Sequence, residues 1–226
     1  MYILYIANKN YSSWSLRPWL LMRQLDIAFV ETLVPFGSQS ETGGFRSFSP
    51  TGKVPCLVDD ETVIWDSLAI TEYLAERHRS VWPKDNAARA WARCATAEMH
   101  SGFGVLRERC TMNVGIRVRI HDFPKELEAE LARLNELWSS ALSRFGGPYL
   151  AGPEFSAVDA FFAPVAFRLL SYGIQLGVAS DAYAERLRRL PAMEQWYASA
   201  LREPWRDPAH EAEAERAGER LEDLRS

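Results

Sequence analysis

A hydroxyl-rich loop with the sequence NYSSWS occupies residues 10–15, between the first predicted strand and the first predicted helix. The free amides at a helix N-terminus carry partial positive charge and stabilise an anion such as a thiolate. A hydroxyl of Ser12 or Ser13 beside that anion would donate a charge-assisted hydrogen bond. Together these effects can lower a thiol pKa by about two units. The alternative is that the serines only cap the helix.

Two further motifs contain groups that suit a peptide-like ligand. The sequence GKVP at residues 52–55 precedes a predicted strand, and a cis peptide before its proline would expose the Val54 amide and carbonyl for pairing with an extended peptide. An ordinary turn before an edge strand is the alternative.

Asp66 and Ser67 begin a predicted helix, where Ser67 and the free amides suit a carboxylate and Asp66 suits an ammonium group. The alternative there is plain N-capping.

The elements that position these motifs have the order β-α-β, loop, β-β-α, which is the order of a thioredoxin-like unit. We expect parallel pairing of the first two strands and an antiparallel hairpin from the next two. Pro18 is tolerated in the first helical turn, so the first helix should start near Ser15. The predicted elements are strands at residues 2–7, 28–34, 54–58 and 62–65, an irregular or short helical stretch at 37–52, and a helix from Asp66 to about Arg79.

Beyond residue 86 the strand signal fades and helical periodicity dominates. We therefore expect a thioredoxin-like domain at residues 1–79, a linker at 80–85 and an all-α domain at 86–226. The charged end, residues 207–226, is predicted to be a solvated helix or a disordered end. The helices of the second domain are predicted at residues 87–113, 124–145, 157–172, 183–190 and 191–201.

Composition excludes several classes of protein. A net charge of −4 and a pI near 5.7 argue against a nucleic-acid surface. No apolar run approaches the ~20 residues of a membrane helix, and the first residues lack the pattern of a signal peptide, so we expect no membrane contact and a cytoplasmic location. Three widely spaced cysteines fit a reducing compartment, and we expect Cys56, Cys94 and Cys110 all to be buried. The histidines show no metal-ligand spacing, so no metal is expected.

The ordered motifs resemble those of the cytosolic glutathione transferases over nearly the whole chain. The sequence SSWSLR at residues 12–17 looks like the SSCSWR signature of the zeta class, and GKVP looks like the turn with its cis-proline. Asp66 and Ser67 resemble the acidic-Ser pair that holds a γ-glutamyl group, and SAVD at 156–159 resembles the capping box of the family's central helix. Trp14 stands where the zeta class has a cysteine.

The resemblance implies a glutathione transferase that conjugates electrophiles or reduces organic peroxides. Glutathione would be the co-substrate, the second substrate a small hydrophobic or acidic electrophile, and the assembly a homodimer. A maleyl-type cis-trans isomerase and a non-catalytic binding module remain alternatives. The implied catalytic residues are Ser12, with Ser13 in reserve, and the implied glutathione-binding residues are Trp14, Lys53, Val54, Pro55, Asp66 and Ser67.

The resemblance also places the electrophile beside the helix that opens the second domain. Phe103, Leu106 and Met112 are candidates for an apolar pocket or for core and dimer packing, and His100 for a core histidine or a base. Arg107 would bind an acidic substrate or form a salt bridge. Met99 and Asn113 lie on the same stretch.

Overall fold

A four-stranded mixed sheet with the order β2-β1-β3-β4 forms the first part of the molecule. The computed structural model describes residues 1–37 and 44–226. The elements of this part are β1 (Tyr2–Ile6), α1 (Ser13–Gln24), β2 (Phe29–Leu33), β3 (Cys56–Asp59), β4 (Thr62–Trp65) and α2 (Ser67–Ala75).

Strand pairing follows the predicted pattern. Strand β1 pairs parallel with β2, while β3 pairs antiparallel with both β1 and β4. A short 3-10 helix at Gly44–Ser47 lies within the stretch predicted to be irregular or briefly helical, and residues 38–43 of that stretch lie outside the described residues. The thioredoxin-like order of elements is confirmed.

Helix α1 begins earlier than predicted. It starts at Ser13, so Pro18 lies in its second turn and the expected start near Ser15 was wrong. Ser12 occupies the N-cap position, and its carbonyl already accepts the Leu16 amide at 3.2 Å. Proline costs a helix one hydrogen bond, but nine buried side chains hold α1 in place. Helix α2 ends at Ala75, short of the predicted Arg79.

The second part of the chain is mainly helical and packs on α1. Its central helix is the most buried, since every residue except Leu170 is buried. The predicted capping box is present, with the Ser156 amide donating to Asp159 Oδ2 at 2.9 Å. The helices are α3 (Asn86–Ser101), α4 (Gly104–Arg109), α5 (Lys125–Phe145), α6 (Ala157–Ser171), α7 (Val178–Arg188), α8 (Pro191–Leu201) and α9 (Pro208–Ala217).

The single helix predicted for residues 87–113 is two helices. Phe103 has a φ of 53°, and a Cβ on Gly102 would lie 2.7 Å from the Glu98 carbonyl oxygen, so only glycine fits this break. Glu130 of α5 then accepts the amides of Val105 and Leu106, at 3.2 and 2.7 Å. A carboxylate from another helix thus caps α4, an interaction that local periodicity does not reveal.

The charged end of the chain contains a helix, as one of the two predicted alternatives had it, and also a strand that was not predicted. After α9, strand β6 (Gly218–Asp223) pairs antiparallel with β5 (Ile116–Ile120), which was not predicted. The sequence of β5, IRVRI, alternates apolar and charged side chains, and Ile116 and Val118 are buried. Two short strands that are far apart in sequence therefore pair with each other.

Two smaller expectations were also wrong. Helix α7 begins at Val178 instead of Tyr183, because Asp181 accepts the free amides of Leu176 and Gly177 at 2.9 and 3.2 Å. Cys94 is exposed on the outer face of α3, whereas Cys56 and Cys110 are buried as expected. Among the helices of the described residues, none is long and apolar enough to cross a membrane.

Candidate functional site

A cleft runs along the start of α1, between the sheet and the helical part. It consists of two adjoining cavities of about 490 and 460 Å³ that share Trp14, Lys53 and Val54. The structure brings all the predicted site residues to this cleft, and their roles stay predictions. Ser12 and Ser13 line the first cavity, and Pro55, Asp66 and Ser67 line the second.

The two serines at the start of α1 differ in their hydrogen bonds. Ser12 is 4% exposed, and its hydroxyl donates to Ser15 Oγ at 2.7 Å. Ser13 is 8% exposed, and its Oγ accepts from Nη2 of Arg168 at 3.2 Å. Because both lie at the N-terminal end of α1, an anion in the first cavity would face a helix end as well as hydroxyl groups.

Val54 offers a backbone edge to the cleft. The Val54–Pro55 peptide is cis, and Gly52 before it has a φ of 66°. Within the part of the chain that the structure describes, no residue hydrogen-bonds to the backbone N–H or C=O of Val54. These two groups can therefore pair with an extended peptide, as a further strand pairs with a sheet edge.

Asp66 and Ser67 form the far end of the second cavity. Asp66 caps α2 with a φ of 75°, and its Oδ1 accepts the Leu68 amide at 2.7 Å. Its Oδ2 lies 3.4 Å from Nε2 of His100. Ser67 accepts a hydrogen bond from Nη1 of Arg17 at 3.3 Å, so its own hydroxyl hydrogen remains available for a carboxylate.

His100 lies under this end of the cleft, beside Asp66 and Trp14. Burial lowers its pKa, and the charges of Arg17 and Arg107 lower it further, although Asp66 opposes them. The lowered pKa favours the neutral imidazole. Its Nδ1 is buried without a hydrogen-bond partner among the described residues, which fits a packed side chain better than a solvent-facing base.

Trp14 separates the two cavities and is held by cations. The guanidinium of Arg17 lies 4.1 Å from its ring centre and that of Arg107 lies 5.5 Å away, while His100 meets the ring edge-on at 5.2 Å. Such contacts stabilise an aromatic ring by about 1 kcal/mol each when partly buried. The ring is thus a fixed wall where the two cavities meet.

Two buried arginines behind the cleft were not predicted as site residues. Burial lowers the pKa of Arg17 to about 9, with help from Arg107 and Arg168, and burial lowers that of Arg168 to about 10. Among the described residues neither guanidinium forms an ion pair with a carboxylate within 4 Å. Arg168 interrupts an otherwise apolar run at residues 160–170, which is a sequence signal of a buried helix, whereas Arg17 is revealed by its three-dimensional neighbours.

The far wall of the first cavity comes from the helical part and the end of the chain. Arg107 and Met112 line it, whereas Phe103 and Leu106 are buried in the core, as their helical spacing indicated. Residues of α9 were missed because the tail was expected to be a solvated helix or a disordered end. They are His210, whose ring stacks on Tyr11 at 4.9 Å and whose Nδ1 lies 2.6 Å from Asp207 Oδ2, and Glu213.

Solved structures with the same fold include complexes with glutathione. A glutathione transferase homolog from Burkholderia with bound glutathione has a TM-score of 0.65 at 23% identity and matches 88% of this chain and 97% of its own. The theta class glutathione S-transferase from Xanthomonas axonopodis pv. citri with glutathione bound has a TM-score of 0.61 at 25% identity. The match covers 87% of this chain and 96% of the transferase.

Comparison at the level of sequence agrees with the fold. Rat maleylacetoacetate isomerase is 30% identical over 166 residues, which are 72% of this chain and 75% of the relative. A stringent starvation protein A homolog from Histophilus somni is 25% identical over 174 residues, which are 76% of this chain and 77% of the relative. The models for the N-terminal and C-terminal domains of glutathione S-transferase match residues 11–77 and 90–199. The chain therefore belongs to the glutathione S-transferase family.

Proposed function

We propose that the cleft binds glutathione and holds its sulfur as a thiolate for attack on an electrophilic carbon. The observation that carries the proposal is the convergence of three features on one cleft: the serine-bearing start of α1, the unpaired Val54 backbone and the Asp66–Ser67 helix end. Each accepts a different part of the same tripeptide. The glutathione-bound relatives of similar fold support this choice of ligand.

In this arrangement the γ-glutamyl end occupies the second cavity. Its carboxylate meets Ser67 and the amides of α2, and its ammonium group meets the partly exposed carboxylate of Asp66. The cysteinyl backbone pairs with Val54, and Lys53 meets the glycyl carboxylate. The sulfur then lies in the first cavity near Ser12 and Ser13, on the far side of Trp14.

In the reaction the thiol first loses its proton to solvent. The sulfur lone pair of the thiolate forms a bond to the electrophilic carbon, and the leaving group departs with its electron pair or the electrons move into a conjugated carbonyl. Reduction of an organic peroxide would begin with the same thiolate attacking an oxygen. A lowered thiol pKa serves all of these reactions, because it increases the thiolate population at neutral pH.

Replacing both serines by alanine tests the contribution of their hydroxyls. We expect Ser12→Ala/Ser13→Ala to raise the pKa of bound glutathione by about one unit or more, and to lower turnover of a model electrophile by about tenfold at neutral pH. Ultraviolet absorbance of the thiolate measures the pKa, and a conjugation assay measures turnover. Unchanged values in the folded double variant would remove the serine mechanism.

A second candidate activity is cis-trans isomerisation of a maleyl-type diacid. The relation to rat maleylacetoacetate isomerase favours it, as do Arg107 and Arg168 on the first cavity. The thiolate would add to the double bond, the resulting single bond would rotate, and expulsion of the thiolate would restore glutathione. Turnover of such a diacid with glutathione at catalytic concentration supports this activity, and its absence excludes it.

A non-catalytic binding module is the third candidate, and Trp14 is the reason to test it. The bulky ring stands where the zeta class has a cysteine, at the border between the two cavities. Glutathione binding measured by calorimetry, without turnover across a broad panel of electrophiles, would establish this function. Robust turnover of any member of the panel would exclude it.

We further propose that the protein is a cytoplasmic homodimer. An exposed apolar patch on β4 and α2 supports pairing, with Val63 and Trp65 at 37% and 44% exposure beside Leu68 and Ala69. Sedimentation at micromolar concentration should show a dimer for the wild type and a monomer for Val63→Arg. The control is Val178→Arg, which alters an exposed valine on α7. A wild-type monomer would refute the proposal.

A further inference from the structure

Arg168, in the helical part of the chain, forms a hydrogen bond to the hydroxyl-rich loop of residues 10–15. It lies on α6 and is 5% exposed, yet it lines the first cavity. Its Nη2 donates to Ser13 Oγ at 3.2 Å, across 155 positions of sequence. The guanidinium therefore joins the most buried helix of the second part to the proposed thiolate site.

The remaining nitrogens of Arg168 contact no carboxylate among the described residues, so its charge is only partly compensated, by Glu213 on the same cavity. Nη1 donates to the carbonyls of Arg107, at 3.2 Å, and Cys110, while Nε is buried without a partner among the described residues. A buried cation without a counter-ion is costly, and a nearby anion reduces that cost. Because Arg168 borders the cavity and forms no direct ion pair with Glu213, an anionic ligand there can add to the compensation of its charge.

The hydroxyl hydrogens of the two serines have different uses. Ser12 donates its hydrogen to Ser15, whose Oγ also accepts the Ala7 amide at 3.3 Å. Ser13 accepts from Arg168, so its hydrogen is not used in that bond. A hydroxyl that accepts from a cation is polarised and becomes a stronger donor. Ser13 is therefore better prepared than Ser12 to donate to sulfur.

We propose that Arg168 is a positioning residue that orients and polarises the Ser13 hydroxyl, so that Ser13 donates to the thiolate of bound glutathione. This inference rests on the proposed function and specifies its mechanism. By this inference Ser13 is the main hydroxyl donor to the sulfur, and Arg168 of the helical part fixes the orientation of its hydroxyl. The competing explanation is that Arg168 only caps the carbonyls at the end of α4, through Arg107 and Cys110.

The test compares Arg168→Met and Arg168→Lys with a matched control. Arg188→Met also removes a partly buried arginine that donates to a carbonyl, that of Ala166 at 3.2 Å, but away from the cleft. We expect Arg168→Met to raise the pKa of bound glutathione by about one unit and Arg168→Lys to raise it less. Arg188→Met should leave it unchanged.

Turnover separates the electrostatic role from a structural one. The loss of kcat/KM in Arg168→Met should be about tenfold at a pH below the thiol pKa and should disappear at a pH where the thiol is ionised in both proteins. Adding Arg168→Met to Ser13→Ala should produce little further shift, because Arg168 acts through the Ser13 hydroxyl. An unchanged thiol pKa in folded Arg168→Met would overturn the inference.

If Arg168→Met does not fold, single serine variants show whether Ser13 or Ser12 donates to the thiolate. Ser13→Ala should raise the thiol pKa and Ser12→Ala should change it little, and the reverse order would overturn the inference. A wild-type complex with an ordinary thiol pKa would instead refute the proposed function itself. A lowered wild-type pKa that survives Ser13→Ala would refute only the role of Ser13 and Arg168.

Discussion

Trp14 shows how a single side chain can shape both halves of the cleft. Arg17 and Arg107 lie over its ring, and His100 contacts its edge. A smaller side chain would open the wall between the cavities, remove the contact of Arg107 with this ring, and leave Arg17 with the ring of Phe161, 4.8 Å away. The position that departs most from the zeta signature is thus also the one that holds the cations of the site in place.

Trp14→Leu should weaken glutathione binding by about five- to tenfold, because it removes cation–π contacts of about 1 kcal/mol each. Their loss frees Arg17, which donates to Ser67, and Arg107 beside the cleft. Trp14→Phe keeps an aromatic face and should retain more of the affinity. Isothermal calorimetry measures the effect, and Trp205→Leu, a change at an exposed tryptophan outside the cleft, is the control. Equal affinities for Trp14→Leu and the wild type would contradict this role.

The short motifs were predictable because each lies where a strand or helix begins. Ser12, Val54 and Asp66 therefore have definite places in the sequence pattern, and all three lie at the cleft. Arg17 and Arg168 were not predictable in the same way. Their partners, Ser67 and Ser13, lie 50 and 155 positions away, and although the apolar run around Arg168 indicates burial, it does not identify the partner.

At the scale of elements, the end of the chain differs most from expectation. Arg225, with a side chain 1% exposed, donates to Glu211 Oε2 at 2.8 Å and to Asp223 Oδ2 at 2.7 Å. Glu211 also accepts at 2.8 Å from the hydroxyl of Tyr11, a residue of the hydroxyl-rich loop. Net charge and low hydropathy suggested a solvated tail, but paired charges allow the same residues to pack.

Arg225→Met should destabilise the protein by about 3 kcal/mol at neutral pH, since it leaves a partly buried carboxylate unpaired. The hydrogen bonds from Arg225 lower the pKa of Asp223 to about 2, and, although burial opposes them, bonds from Arg225 and Tyr11 lower that of Glu211. Stability from a lowered carboxyl pKa is present above the ordinary value near 4 and is lost as pH falls toward 2.

The difference in unfolding free energy between the wild type and Arg225→Met should therefore shrink as pH falls from about 4.5 to about 2. Denaturant unfolding at a series of pH values measures it. Arg216→Met, an exposed change on α9, should differ little from the wild type at every pH. A difference that stays constant with pH would show that the carboxylates do not depend on Arg225.

For the whole molecule, the fold class was predictable because hydrophobic periodicity changes from strands and helices to helices alone. The pairing of β5 with β6 and the break at Gly102 were not, because both depend on residues distant in sequence. The division into residues 1–79, 80–85 and 86–226 remains a proposal. Contacts between the parts, above all Arg168 with Ser13, make the cleft a property of the complete chain.

The pKa of glutathione bound to the wild-type protein tests the central claim most directly. A helix end, a serine hydroxyl and the guanidinium that polarises this hydroxyl all favour the thiolate, so titration by ultraviolet absorbance should give a pKa about two units below the ordinary thiol value near 8.5. A bound thiol that titrates at its ordinary value would contradict the account.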